Sequence, residues 1–382
     1  MKICAIICEY NPLHNGHLYQ IGEAKRLSGA DAVLCLMSGN FVQRGESAVM
    51  NKYIRAKHAV NAGADAVVEL PTVFATSSAE FFAKGAISLL SKIPSVTTLC
   101  FGAETADKDL FLHVAGLMND EPKSVSDKIK TLTGEGVSYA KARALAWSDI
   151  LPESFLTSPN NILGVEYTRA ILSFQSKIEI LPVQRTGAGY KDDTLHESYS
   201  SATAIRTSIA GGKSVENALP SFVSPDLPNT LEQSLDGLEK YAIMTTPKEE
   251  IAKTLDCVEG LENAFKKASK KNASLVESLT SSRYTSSRIR RIALQTLLKI
   301  DEALIRDALQ EKLYLKVLAV KKTRNDLLSA LSESELPVLI RPRDEAQLFG
   351  VQKRSFEADL LAEKVHALLY GETGKIDVFI EE

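Results

Sequence analysis

Cys8-Glu9-Tyr10-Asn11-Pro12-Leu13-His14-Asn15-Gly16-His17 is the stretch on which the reading of this chain turns. Before it, Ile3 to Cys8 is an unbroken apolar run, the pattern of a strand buried on both faces. After it, Leu18 to Leu27 reads as a helix. A strand that turns at Asn-Pro into a helix headed by His-x-Gly-His presents unpaired backbone N–H groups and the positive end of a helix dipole, which suits a phosphate. Gly16 lets a nucleotide approach the backbone closely. His14 and His17 project from the same side of the helix start, where both can donate to phosphate oxygens or to charge developing at an α-phosphate. The pair also suits a metal site or a structural cap. No Cys, Asp or Glu follows at ligand spacing on this helix, so no protein-held metal is expected.

The pattern continues outward from this junction. Asp31 to Ser38 is a second buried strand, and it delivers a loop, Ser38 to Glu46, that contains Gln43 and Arg44. Arg44 is a candidate anion ligand, with a plain solvated turn as the alternative. Lys52, Arg55 and Lys57 follow on a helix, and some of them are expected to be simply solvated. Ala64 to Leu70 is a third strand, Ser77 to Lys92 a helix, and Thr97 to Phe101 a fourth strand closed by Gly102. Strand alternating with helix implies a doubly wound, Rossmann-like parallel sheet of α/β class. Ligands of such sheets bind beyond the carboxyl ends of the strands. That places Gly102 and Arg44 at the same edge as His14.

Ala106 to Asp149 reads as a mostly helical insertion. Ser158-Pro159-Asn160-Asn161 starts another helix, where an Asn amide can read a ligand or merely cap. Lys177 to Val183 is a fifth strand, leading into Gln184-Arg185-Thr186-Gly187. Tyr199-Ser200-Ser201-Ala202-Thr203-Ala204-Ile205-Arg206 opens a further helix. Hydroxyls on Ser201 and Thr203, free N–H groups and the Arg206 fork make a second phosphate-binding constellation.

The chain has 382 residues, 45% apolar and 24% charged, the profile of a globular protein with room for two domains. Residues 1–215 are expected to form the nucleotide-binding domain, 216–230 a proline-containing linker, and 231–382 a mostly helical second domain. A net charge of −3 excludes a globally basic nucleic-acid binder but not a basic face. Such faces are suggested by Lys266, Lys267, Lys270 and Lys271, and by Arg283, Arg288, Arg290 and Arg291 around Tyr284. The five cysteines read as small core residues in a reducing compartment. No apolar run is long enough to span a bilayer, and Met1-Lys2 leads straight into the first strand, so a cytoplasmic protein without membrane contact is expected.

The two phosphate constellations together resemble the HxGH nucleotidyltransferase superfamily related to the class I aminoacyl-tRNA synthetases. His14, Gly16 and His17 match its first motif. Ser201, Thr203, Ile205 and Arg206 match its late S-[ST]-T-x-[IL]-R motif, from which Ala202 departs. More particularly, the chain resembles the bacterial tRNA(Met) cytidine acetate ligase family over essentially its whole length. The likeness rests on CEYNPLHNGHLYQI, MSGNFVQRGESA, the ELP at Glu69 to Pro71, FGAE, SPNNILGVEY and SATAIR. It implies ATP-dependent joining of acetate to the wobble cytidine of elongator tRNA(Met), giving N4-acetylcytidine, with Mg²⁺ accompanying ATP. It implies ATP contacts along the opening stretch with Ile7, Leu18, Tyr19 and Gln20, and at Gly102, Asn161, Arg185 and Thr186. On that reading His14, His17 and Arg206 are catalytic, Ser201 and Thr203 hold phosphate, and Gln43, Arg44 and the basic clusters meet substrate or tRNA. The residues by themselves also allow an adenylyltransferase for a small phosphate ester, or an RNA-binding protein that uses ATP without catalysis.

Overall fold

The computed structural model describes residues 1–185, 200–228, 234–371 and 377–381. Eight strands form one sheet: β1 (Ile3–Cys8), β2 (Ala32–Ser38), β3 (Ala66–Leu70), β4 (Val96–Ala103), β5 (Glu179–Gln184), β6 (Leu315–Lys321), β7 (Val338–Leu339) and β8 (Phe379–Ile380). The order is β5-β4-β1-β2-β3-β6-β7, with β8 also on β6. The first five strands are parallel to one another, as the alternation of strand and helix requires. Every residue of β1, β2 and β3 is buried, which explains why these runs carry no polar alternation. The strand order reverses at β1, with β2 on one side and β4 on the other, so the crevice between β1 and β4 is the switch point where ligands collect.

The third segment of the expected division is not a separate helical body. β6 pairs antiparallel with β3, and β7 and β8 pair with β6. The long helix Gly350–Tyr370 packs on the same core, and Asp359 accepts the Thr72 N–H at 2.7 Å and the Tyr314 hydroxyl at 2.5 Å. One apolar core therefore contains both Leu34 and Leu315. The reason is edge satisfaction: β3 would otherwise end the sheet with its backbone groups unpaired beneath helices. What is separately packed is a small helical unit, with Ile243, Leu261, Phe265, Leu275 and Ile289 forming its own core. Residue 231, the expected start of the third segment, lies outside the described residues, and the first helix described after it begins at Asp236.

Two buried charge clusters tie these layers together. Glu69 of β3 receives Lys52 Nζ at 2.9 Å and Lys316 Nζ at 3.3 Å, and Lys52 also meets Glu363 at 3.2 Å. Burial opposes the Glu69 charge, yet Lys316 and Lys52 hold its carboxyl below the usual range. Arg55, fully buried, donates to the carbonyls of Met50, Glu9, Ser38 and Gly39. Burial brings it down to about 10, still a cation at neutral pH. Of the helix's three expected cations only Lys57 is solvated. Arg55→Met strands several buried carbonyls and lowers stability by about 3–5 kcal/mol. Urea unfolding checks this, and a loss below about 1 kcal/mol contradicts the assigned role.

Candidate active site

His14 is the cap of the Asn15–Ser28 helix. Its Nδ1 accepts the Gly16 N–H at 3.1 Å, and the Nδ1 of His17 accepts the His14 N–H at 3.3 Å. This is a capping box in which two imidazoles replace the usual Ser and Glu. The rings stack, with centroids 3.6 Å apart and planes 21° from parallel. Because each Nδ1 accepts, each neutral ring carries its proton on Nε2. Burial, with help from the Arg185 charge, pulls His14 down to about 3. Burial, then His14 and Arg185, hold His17 well below the ordinary imidazole range. The capping reading and the phosphate reading are thus the same arrangement: the cap fixes the tautomer, and the tautomer makes each ring a donor.

The late motif closes on the first. Ser201 caps the Ala202–Ala210 helix, its Oγ accepting the Ala204 N–H at 3.0 Å. Arg206 donates from Nη1 to the Asn11 carbonyl at 2.9 Å, and its Nη2 lies 3.4 Å from Thr203 Oγ1 and 3.5 Å from Glu46. Asn11 in turn accepts the Val49 N–H at 2.8 Å on its side-chain oxygen. The guanidinium therefore sits across the mouth of the β1 turn.

These groups line one cavity of about 350 Å³, which runs from Ile7, Cys8, Tyr10, Asn11, His14 and His17 past Gln43 and Arg44 to Phe82, Phe101 and Tyr167. Gly102, Arg185, Gln20, Ser201, Thr203 and Arg206 are also on its wall. A smaller adjoining recess is lined by Gly16, Tyr19, Gly102, Arg185 and Ser200. A Cβ at Gly102 would lie 3.4 Å from Arg185 Cγ, so the glycine keeps this recess narrow but open. Most of the residues expected at the strand ends lie on the wall of this one cavity.

Some expected contacts are placed elsewhere. Asn161 is fully buried: its Oδ1 accepts the Glu104 and Thr105 N–H groups at 3.0 and 3.2 Å, and its Nδ2 faces Ser154 and Thr105. It shapes the turn after β4 rather than facing the cavity, and its neighbour Asn160 lines the wall instead. Leu13 is core, Leu18 is exposed, and Asn15 donates to the Asn217 carbonyl at 2.9 Å. Pro12 is buried in the turn. Thr186 lies outside the described residues.

The basic clusters are also more engaged than their spacing suggests. Lys266 donates to the carbonyls of Ile243, Met244 and Thr246, which ties off the end of the Asp236–Thr245 helix. Arg288 donates to the Asp256 carbonyl at 2.6 Å, and Arg291 pairs with Asp256 at 3.7 Å. Arg290 pairs with Glu46 at 3.1 Å. Gly45, at φ +73°, brings the site loop within contact of the Arg290 and Arg291 backbone, where a Cβ would collide. Lys267, Lys270, Lys271 and Arg283 remain exposed, Arg283 with Glu259 at 2.7 Å. Sequence reading passed over Lys52, Arg55 and Glu69 as functional supports, although Lys52 and Arg55 share one helix face with buried Ala56 and Ala59.

Nitrogen-15 spectra of the ligand-free chain check the histidine arrangement. Both rings are expected to show protonated Nε2 and bare Nδ1 from pH 8 to pH 5. Their depressed folded values mean that the unfolded chain binds the protons first, so stability falls as pH drops below about 6.5. A titration of either ring near pH 6.5 contradicts the assignment.

The HIGH nucleotidyl transferase model matches residues 1–377. A tRNA(Met) cytidine acetate ligase of Clostridium novyi is 37% identical over 361 residues, covering 89% of this chain and 90% of the relative. One from Caldanaerobacter subterraneus is 36% identical over 400 aligned positions, covering 99% and 98%. The apo crystal structure of Thermotoga maritima TmcAL superposes with a TM-score of 0.88 at 28% identity, covering 97% of this chain and 96% of that one. The same enzyme bound with α-thio ATP gives 0.86 at 28% identity, covering 97% and 95%. This chain belongs to the HIGH nucleotidyl transferase family, among the tRNA(Met) cytidine acetate ligases.

Proposed function

We propose that the chain is an ATP-dependent ligase that activates acetate as acetyl-adenylate and transfers the acetyl group to N4 of the wobble cytidine of elongator tRNA(Met). The observation that carries this is the convergence of two proton-bearing imidazoles and the Arg206 fork on one cavity at the sheet's switch point. An acetate oxygen attacks the α-phosphorus, and pyrophosphate leaves. The Nε2–H groups of His14 and His17 donate to the α-phosphate oxygens as charge builds there. Arg206, with Ser201 and Thr203, holds the departing β- and γ-phosphates. Alignment and charge stabilisation suffice, so the enzyme needs no covalent intermediate.

Mg²⁺ enters as part of the Mg·ATP substrate. Among the described residues no three His, Cys, Asp or Glu side chains gather into a metal cage. That suits an ion held chiefly by phosphate oxygens and water. The tRNA approaches over the small helical unit, where Lys267, Lys270, Lys271 and Arg283 offer exposed cations. Binding through phosphates makes this affinity steeply salt-dependent. No helix among the described residues is long and apolar enough to cross a membrane. This reading assigns the reaction to the cytoplasm, because its substrates tRNA and ATP meet there.

Acetate-dependent ATP–pyrophosphate exchange tests the first half of this reaction. Exchange is expected with the wild type, and Arg206→Ala is expected to lower it about 10²–10³-fold. Exchange independent of acetate would overturn the assignment of acetate as the attacking group.

A further inference from the structure

The second half of the reaction needs a proton acceptor. The exocyclic amine of cytidine is a weak nucleophile, and it must lose a proton as its bond to the acetyl carbon forms. The groups around the cavity divide sharply on this point. His14 and His17 have each committed Nδ1 to a backbone N–H and carry their proton on Nε2, so they are donors. Glu46 is spanned by Arg206 at 3.5 Å and Arg290 at 3.1 Å. Arg44, Arg185 and Arg206 are cations. The Tyr167 phenol is pushed up by burial and holds its proton.

Glu9 differs from all of these. It follows the last residue of β1, so it stands at the carboxyl edge of the sheet where β1 and β4 diverge. Its backbone carbonyl is held by Arg55, and its Oε1 accepts the Gln43 N–H at 2.9 Å. Both main chain and carboxylate are thereby fixed. The side chain lines the same cavity as His14, His17 and Arg206, next to the aromatic walls of Phe82, Phe101 and Tyr167. Among the described residues, no cation forms an ion pair with it within 4 Å.

We propose that Glu9 is the general base that takes the amine proton during acetyl transfer. The proposal rests on the ligase reading above. The amine lone pair forms the N–C bond to the acetyl carbon. The bond from that carbon to the phosphate oxygen breaks, and its electron pair leaves with AMP. The amine proton passes to the Glu9 carboxylate and from there to solvent. Phe82, Phe101 and Tyr167 supply apolar walls against which a splayed base can lie. Burial raises the Glu9 carboxyl, and the Gln43 N–H and the Arg206 and Arg44 charges partly counter it, with Glu46 acting the other way. A raised carboxylate is a stronger base. The charged and titratable groups around it are Arg206, Arg44, Glu46, Cys8 and Tyr167, with His14, His17, Arg185 and Tyr10 elsewhere on the cavity wall and Arg55 behind its backbone.

The test is single-turnover transfer from supplied acetyl-adenylate to an elongator tRNA(Met) transcript, which bypasses ATP and any role of Glu9 in binding it. Wild type, Glu9→Gln and Glu9→Asp are compared, with tRNA affinity measured in parallel. Glu9→Gln is expected to slow transfer about 10²–10³-fold, with tRNA affinity within about threefold of wild type. The wild-type rate falls about tenfold per pH unit below the Glu9 pKa, and Glu9→Asp keeps that slope, whereas Glu9→Gln loses it. Transfer by Glu9→Gln at the wild-type rate, or with the same pH slope, overturns the proposal alone. Failure of the wild type itself to transfer overturns the ligase reading and the proposal with it.

Discussion

The site depends on one buried guanidinium. Parallel strands end with carbonyls that the next strand does not satisfy, and at the carboxyl edge those carbonyls surround the ligand crevice. Arg55 answers this at β1 and β2 together, donating to Glu9 beyond one strand and to Ser38 and Gly39 at the end of the other. An arginine suits the task because its planar fork serves several acceptors at once. A lysine would reach fewer of them. The turn that holds Asn11 and His14 and the loop that holds Gln43 and Arg44 therefore share one anchor. Gln43 can meet the Glu9 carboxylate, and Arg206 can meet the Asn11 carbonyl, because both loops leave that anchor in a set direction.

Around this anchor the chain folds back on itself. β6, β7, β8 and the Gly350–Tyr370 helix cover what would be the open edge at β3. Glu69 joins them to the nucleotide-binding half through Lys52 and Lys316. Such a cluster is strongly destabilised if one partner is lost, because the remaining charge stays buried. Separately, Glu46 stands between Arg206 of the cavity and Arg290 of the small helical unit. The small helical unit is thus in direct contact with the loop that lines the reaction cavity.

How much of this the residues disclosed varies with the physics. Strands β1 to β3 were legible because burial on both faces forces continuous apolar runs, while β4 and β5, partly exposed, were legible as shorter apolar runs between turns. The histidines were legible because a phosphate site needs donors at a helix start. Strands β6 and β7 were not legible as part of this sheet, because nothing local says which sheet edge a strand completes. Arg55 and Lys52 looked like surface cations because spacing does not report the carbonyls and carboxylates that fold over them. Asn161 carried a ligand-reading amide that the turn after β4 consumes. Lys266 lay in a basic run, yet its ammonium closes a helix end. In each of these cases a partner distant in sequence decides the role.

In the proposed reaction acetate is activated by attack at the α-phosphorus of ATP. Acetate labelled with oxygen-18 reports this directly, because the oxygen that attacks phosphorus stays with AMP when the acetyl group moves on. With ATP and elongator tRNA(Met) present, the account predicts one labelled oxygen in each AMP released, and none in pyrophosphate. Label in inorganic phosphate or pyrophosphate, with unlabelled AMP or ADP as the nucleotide product, would contradict it. That result would place the attack on the β- or γ-phosphorus and leave His14 and His17 without the role assigned to them.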